Sequence, residues 1–277
     1  MKTLVIGSGV FPLFKNTKVK QILIQSIRRL TADYLFQKTL PQKFGSGKIY
    51  VTSRSDIRLL FPGLEKVAAD LFWVADNYLS AGNVVWDIGS NLGIFAFCAA
   101  AKVGRSGRVF SLEADPRYAD IQHRSLKNIS GQAGEMSILC AAAADQLGLL
   151  ELVIPKKGHA RNHLNVVAGN SAGEAESKKQ VVTLTLDYLL DYWSAPQFVK
   201  IDVEGAEVLV ARGGSKLFSE VRPAGYIECA PENADALTTF FRDRDYRFFS
   251  LGPRGEEVSI DRLVFNTILK PGESLVG

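Results

Sequence analysis

Apolar segments alternate with amphipathic segments along most of the chain, and this alternation predicts its fold. Short apolar runs typical of buried strands are each followed by helical periodicity, at residues 84–89, 108–113, 136–144, 197–203 and 224–230. Because such an order needs crossover helices, it predicts an α/β doubly wound, mostly parallel sheet with helices on both faces. The runs 246–251 and 262–269 have no helix between them, and they predict an antiparallel edge hairpin that completes seven strands.

Other segments interrupt or precede this alternation. Helical periodicity predicts amphipathic helices over residues 18–38 and 64–79, with a short strand at 48–53 between them. A strand-like run at 148–155 is followed by a polar stretch, 156–180, with the composition of a surface loop.

Charge divides the chain in the same place. The whole protein of 277 residues carries a formal net charge of +4, but residues 1–50 alone carry nine Lys/Arg and one acid. We therefore predict a basic helical extension over residues 1–80 and a mildly acidic domain over 81–277. The extension could meet an acidic surface or form a homodimer through its helix.

Targeting signals are not expected in this sequence. The apolar start is too short to cross a bilayer, and Gly7, Gly9 and Pro12 interrupt it before any small-x-small cleavage site. Cys98, Cys140 and Cys229 stand far apart and form no Cys-x-x-Cys pair. These features predict a cytoplasmic protein without a transmembrane segment, a zinc cluster or disulfides.

The turn D-I-G-S-N-L-G, residues 87–93, indicates a nucleotide cofactor. Its glycines allow close approach of a ligand where a strand passes into a helix. The spacing departs from G-x-G-x-x-G, and Asp87 would repel a diphosphate but suit an ammonium and a sulfonium. The turn therefore favours S-adenosylmethionine over NAD. Glu113, at the end of the second strand, can accept hydrogen bonds from both hydroxyls of a ribose.

The fourth strand carries two further acids in V-K-I-D-V-E-G-A-E. Asp202 and Glu204 leave an apolar strand on the same side, which is costly without a partner and predicts the mouth of an active site. Glu204 could instead cap the next helix. Glu228 lies at a similar depth on the fifth strand, where an internal ion pair is the alternative interpretation.

These motifs, with L-E-A-D-P, A-A-A-A-D-Q-L-G-L-L-E-L and T-L-T-L-D-Y-L-L, resemble the FkbM family of S-adenosylmethionine-dependent methyltransferases over residues 84–251. The resemblance implies a class I methyltransferase fold and O-methylation of sugars, macrolides and similar natural products. By position, it implies that Glu113 holds the ribose and that Asp202 lies near the reacting methyl group. The other implied cofactor residues are Asp87, Gly89, Ser90, Asn91, Gly93, Ala114, Ala142 and Asp145. Before Asp145, members of the family usually carry a larger residue and a Ser, whereas this sequence has Ala143-Ala144.

The methyl acceptor is expected to be a hydroxyl, which benefits from a base. Candidates are Asp202, Glu204 and His163, the last in the loop G-H-A-R-N-H-L-N with His159. Asp202 and Glu228 could hold Mg²⁺ against a diol, but two carboxylates are a sparse donor set, and no metal site is predicted.

Three alternatives remain at this point. An NAD(P)-dependent Rossmann reductase is disfavoured by the turn, and a non-catalytic S-adenosylmethionine-binding module by the acids of the fourth strand. A nucleic-acid methyltransferase would suit the basic extension, but Asp202-Val203-Glu204-Gly205 offers no aromatic ring to stack a flipped base. The acceptor is therefore expected to be a small molecule or glycan, not a nucleic acid.

Overall fold

The structure, a computed structural model, describes residues 24, 26–28, 30–129, 131–155, 163–164, 175–252 and 255–272. Its strands are β1 Phe36–Thr39, β2 Lys48–Val51, β3 Val84–Ile88, β4 Arg108–Glu113, β5 Glu135–Cys140, β6 Ala142–Ala143, β7 Gly148–Pro155, β8 His163–Leu164, β9 Ala175–Leu184, β10 Phe198–Ile201, β11 Ala224–Glu228, β12 Tyr246–Leu251, β13 Glu257–Ile260 and β14 Asn266–Pro271. Its labelled helices are α1 Leu64–Val67, α2 Ala69–Tyr78, α3 Ile94–Val103, α4 Pro116–Leu126, α5 Leu186–Leu190, α6 Glu207–Gly213 and α7 Ala234–Arg242. Within these ranges, no helix has the length and apolar character needed to cross a bilayer.

The main sheet confirms the predicted doubly wound α/β architecture. Its strand order is β13-β12-β14-β11-β10-β3-β4-β5, and the five strands from β11 to β5 are parallel. β12 and β14 form the predicted antiparallel pair, but β14 lies inside, between β12 and β11. The sheet has eight strands rather than seven, because the segment 257–260 pairs with the outer side of β12.

Apolar clusters cover the two faces of this sheet. Strand alternation sends Val85 to the face covered by α2 and α3, and Trp86 to the face covered by α5, α6 and α7. The first cluster also contains Phe44 and Phe72, so the segment that precedes β3 shares its core with the sheet. Residues 36–79 are therefore packed onto the same face as α3.

The N-terminal helix is shorter than the periodicity predicts. Residues 24, 26–28, 30 and 31 are helical, but Phe36–Thr39 forms β1, which pairs antiparallel with β2. Cross-strand pairing overrides the helical pattern there, and the predicted residues 18–23 lie outside the described ones. The side chain of Leu30 is 75% exposed, whereas Thr31 is buried and donates to Ser53 Oγ at 2.9 Å. The predicted helix 64–79 is divided at Ala68, where the backbone leaves helical geometry (φ −119°).

A second, four-stranded sheet explains two further differences between the predicted and the observed secondary structure. Its order is β6-β9-β7-β8, so the predicted third strand, 136–144, is shared between the two sheets. The predicted loop 156–180 is wrong at its end, because residues 175–180 belong to β9 and pair with β7. Residues 156–162 and 165–174 of that prediction lie outside the described ones.

Candidate active site

The glycine-rich turn after β3 touches the end of β10. Gly89 has a left-handed backbone (φ +75°), and a Cβ there would stand 1.8 Å from the carbonyl oxygen of Asp202. The amide of Asp202 in turn donates to the carbonyl of Ile88 at 3.0 Å. The two strand ends therefore meet at a point where only glycine fits.

A buried lysine joins these two strand ends through its side chain. Lys200 lies opposite Asp87 in the β10–β3 register and is only 2% exposed. Its Nζ is 3.1 Å from Asp87 Oδ1, 3.2 Å from the carbonyl oxygen of Gly89 and 3.5 Å from Asp202 Oδ2. Sequence reasoning assigned Lys200 no role. The available signal was a lysine between apolar residues of a buried strand, a place where lysine is rare unless paired.

Glu113 organises the turn from the end of β4. Its Oε2 accepts from the amide of Asn91 at 2.6 Å, and its Oε1 accepts from the amide of Asp115 at 2.7 Å. Burial raises the pKa of Glu113 to about 7, against the lowering effect of these two amides. The carboxyl group thus fixes two loops and still lines the cleft described next.

An open cleft of about 620 Å³ lies at the carboxyl ends of β3, β4, β5 and β10. Polar side chains line part of it: Asn91, Glu113, Asp202 and Glu204. Small or apolar side chains line the rest, among them Ala114, Ala141, Ala142, Ala143 and Leu152. It occupies the place where doubly wound sheets bind ligands.

Several predicted site residues lie around this cleft, and others do not. Gly89, Asn91, Glu113, Ala114, Ala142, Asp202 and Glu204 line it. Ser90 instead turns inward, where its Oγ accepts from Ser111 Oγ at 2.7 Å and from Gln122 Nε2 at 2.8 Å. Gly93 (φ +77°) packs against Phe97 and Gln122, and Asp145 is not among the lining residues. His163 pairs with Val153 at the backbone level, and its side chain lies outside the described ones.

Carboxylates outnumber ammonium groups at the end of β10. Burial raises the pKa of Asp87, although the pairing with Lys200 opposes this shift. The pKa of Lys200 is also raised, since the charges of Asp87, Asp202 and Glu228 outweigh the lowering effect of burial. Burial, followed by the charge of Asp202, raises the pKa of Glu228 to about 8. The raised pKa values of Asp87, Lys200 and Glu228 mean that these three groups hold their protons tightly, as expected where carboxyl groups outnumber cations.

This electrostatic setting fits a cationic cofactor. Asp87 Oδ2 is buried and has no hydrogen-bond partner within the described ranges. A ligand with an ammonium and a sulfonium group would offset the excess of carboxylates, whereas a diphosphate would increase it. No group of three or more His, Cys, Asp or Glu side chains in the described part of the chain could hold a metal ion.

A doubly wound sheet in which an antiparallel strand, here β14, lies between two strands near one end of the order, here β11 and β12, is the architecture of the class I S-adenosylmethionine-dependent methyltransferases, and S-adenosylmethionine is the cofactor. The model of the methyltransferase FkbM domain matches residues 87–248, more than half of the chain. The chain belongs to the FkbM methyltransferase family. The match gives no support to the NAD(P)-dependent reductase that the sequence left open.

Three solved structures of low sequence identity are similar to parts of this chain. A precorrin-6y C5,15-methyltransferase from Geobacter metallireducens GS-15 is 14% identical, with a TM-score of 0.42 over 74% of this chain and 86% of its own. A methyltransferase FkbM from Methylobacillus flagellatus KT is 16% identical, with a TM-score of 0.44 over 69% of this chain and 44% of its own. Aeropyrum pernix fibrillarin with natively bound S-adenosyl-L-methionine is 11% identical, with a TM-score of 0.42 over 74% and 73%. No curated protein matches the chain.

Proposed function

We propose that the protein transfers a methyl group to a hydroxyl of a sugar or another natural-product small molecule. The observation that carries this proposal is the position of Asp202, a carboxylate at the mouth of the cleft whose side chain is 24% exposed. S-adenosylmethionine supplies an electrophilic methyl group, and a hydroxyl acceptor becomes a better nucleophile when a carboxylate takes its proton.

Different residues of the cleft bind different parts of the cofactor. The backbone around Gly89 and Asn91 holds the methionine end beside the carboxylates of β3 and β10. Glu113 accepts from the ribose hydroxyls, because each carboxylate oxygen has a second lone pair beyond its bond to a backbone amide. The small side chains of Ala142 and Ala143 leave room for a flat base against Leu152.

We assign to Asp202 the role of the base that takes the proton from the acceptor hydroxyl. Lys200 Nζ, 3.5 Å away, orients the carboxylate without closing it off from the cleft. Glu204 follows on a left-handed backbone (φ +52°) and is more exposed, so it is the second candidate. His163 remains the third, on the strength of its sequence position alone.

The test replaces the charge of Asp202 while keeping its shape. Asp202→Asn is expected to lower methyl transfer roughly a hundredfold or more, the usual contribution of a positioned base. Transfer of a labelled methyl group would be measured over a panel of hydroxylated small molecules, and S-adenosylhomocysteine binding by calorimetry.

Glu220→Gln, at an exposed carboxylate outside the cleft, is the matched control and should keep the activity. Glu204→Gln tests the second candidate and should lower the activity less than Asp202→Asn does. Undiminished turnover by the Asp202→Asn variant would contradict the role of Asp202 as the base. Recovery of the labelled methyl group in nucleic acid, and not in the small-molecule fraction, would contradict the proposal that the acceptor is a small molecule.

A further inference from the structure

A second group of polar side chains lies on the opposite side of β10 from the cleft. We name Asp70, Tyr226, Glu228 and Asn266 the β11–β14 cluster. Glu228 and Asn266 stand opposite each other in the antiparallel register. Tyr226 lies two residues before Glu228 and therefore on the same face, and Asp70 comes from the first turn of α2, which covers that face. Asp202, on the strand between, borders both the cleft and this cluster.

Two buried polar atoms of the cluster have no partner in the described ranges. Tyr226 is 1% exposed, and its hydroxyl makes no hydrogen bond there. Asn266 Nδ2 donates to Asp70 Oδ2 at 2.8 Å, which leaves Asn266 Oδ1 as a buried acceptor without a donor. Leaving such groups unsatisfied costs about 1–3 kcal/mol each, so a ligand or an ordered water that bonds to them gains free energy of that size.

The cluster also has more carboxyl groups than cations around it. Glu228 faces the carboxylates of Asp70, Asp202 and Glu204, and the cation that faces it is Lys200. That ammonium is already engaged by Asp87 and by the carbonyl of Gly89. Exposure increases outward, from the buried Tyr226 through the half-buried Glu228 and Asn266 to the exposed Asp70. The cluster therefore runs from buried polar atoms to an exposed carboxylate at the surface.

Resting on the proposed function, we propose that the β11–β14 cluster is the acceptor subsite and selects a molecule with a protonated amine beside its hydroxyls. Hydroxyl donors satisfy Asn266 Oδ1, and the ammonium meets Glu228 and Asp70. Asp202 stands next to the bound hydroxyl because it borders both regions. Asp70 precedes β3 in the chain, so the N-terminal segment takes part in recognition.

The test uses a matched pair of probes on the full-length protein loaded with S-adenosylhomocysteine. Methyl α-glucosaminide and methyl α-glucoside differ only by an amine in place of one hydroxyl. By calorimetry, the glucosaminide is expected to bind at least tenfold more tightly than the glucoside. Glu228→Gln should remove this preference while leaving the affinity for S-adenosylhomocysteine unchanged. Glu220→Gln, at an exposed carboxylate in the turn Leu217–Val221, is the control and should retain the preference.

Tyr226→Phe separates recognition from a structural role. Because the hydroxyl has no partner in the described part of the chain, its removal should leave Tm unchanged or raise it while weakening glucosaminide binding several-fold. A fall in Tm without a change in binding would assign Tyr226 to the core and overturn its part in the proposal.

Two further outcomes would overturn the subsite: equal binding of both probes, or binding of neither while S-adenosylhomocysteine binds. Failure of S-adenosylhomocysteine itself to bind would instead contradict the proposed function.

Discussion

The cleft and the β11–β14 cluster lie on either side of β10, and they satisfy their polar groups in different ways. In the cleft, both oxygens of Glu113 accept from backbone amides, and the walls are mostly small side chains. In the cluster, the hydroxyl of Tyr226 and Oδ1 of Asn266 find no partner within the described residues. The cleft is thus held in shape by the backbone, whereas the cluster is made of side chains from separate elements.

This difference separates two kinds of recognition. Backbone turns and alanine walls tolerate changes elsewhere in the sequence, which suits a cofactor shared by a whole fold class. A recess assembled from β11, β14 and α2 changes whenever one of those elements does. We therefore expect the first region to define the chemistry and the second to determine the acceptor.

Lys200→Met is expected to have the largest effect, because Lys200 donates to the carbonyl of Gly89 in the cleft and also reaches Asp202, the carboxylate that borders the cluster. Removing one partner of a buried ion pair typically costs about 3–5 kcal/mol, since the other charge stays buried. We expect a loss of this size in the free energy of unfolding, measured by urea titration at pH 8.

The control is Lys178→Met, which removes an ion pair with Glu151 whose side chains are 55% and 35% exposed. A surface pair contributes about 0–1 kcal/mol, so the control should be nearly neutral. Equal losses in both variants would show that Lys200 does not connect the two regions.

Gly89→Ala tests the cleft alone. Gly45 (φ +77°) and Gly89 (φ +75°) share a left-handed backbone, and a side chain costs about 1–2 kcal/mol at either. A Cβ at Gly45 meets nothing within 4 Å, whereas at Gly89 it would collide with the carbonyl of Asp202. Because displacement by about 1 Å can cost a hundredfold in rate, we expect roughly that loss in kcat for Gly89→Ala only. Similar kcat values for Gly89→Ala and Gly45→Ala would contradict this.

The sequence predicts the cleft better than the cluster, for a physical reason. β4 has the predicted bounds, Arg108–Glu113, and the turn after β3 lies where its glycines indicate. Both are local patterns. Tyr226 and Asn266 lie on two neighbouring strands that are far apart in the sequence. A local pattern of polar and apolar residues therefore cannot predict that their buried polar atoms lack hydrogen-bond partners in the described part of the chain.

Local patterns also fail where pairing partners decide the structure. Phe36–Thr39 has helical periodicity but pairs with β2, and the polar residues 175–180 become strand because β7 lies beside them. Ser90 stands in the turn that lines the cleft, yet its hydroxyl bonds inward to Ser111. The direction of a side chain within a turn depends on packing that the sequence pattern does not contain.

The last prediction, the smallest when counted per pH unit, is a difference in pH dependence between the two regions. Burial raises the pKa of Glu113 to about 7 and that of Glu228 to about 8, from an ordinary value of 4.5. Above pH 4.5, the folded protein holds these protons more tightly than the unfolded chain, so the free energy of unfolding falls as pH rises. The contribution is fully present below pH 4.5 and is lost above about pH 7 for Glu113 and about pH 8 for Glu228. The slope is at most about 1.4 kcal/mol per pH unit for each group.

Urea unfolding of the cofactor-free protein between pH 5 and 9 measures these windows separately. Glu113→Gln should remove the part of the decline that ends near pH 7, and Glu228→Gln the part that continues to about pH 8. Glu220→Gln, at an exposed carboxylate, should keep the full slope. If Glu113→Gln retains the slope of the unaltered protein, the carboxyl group at the end of β4 is already ionised in the folded state. At neutral pH the cleft would then hold a charged carboxylate while Glu228 of the cluster keeps its proton, and the two regions would differ in charge as well as in hydrogen bonding.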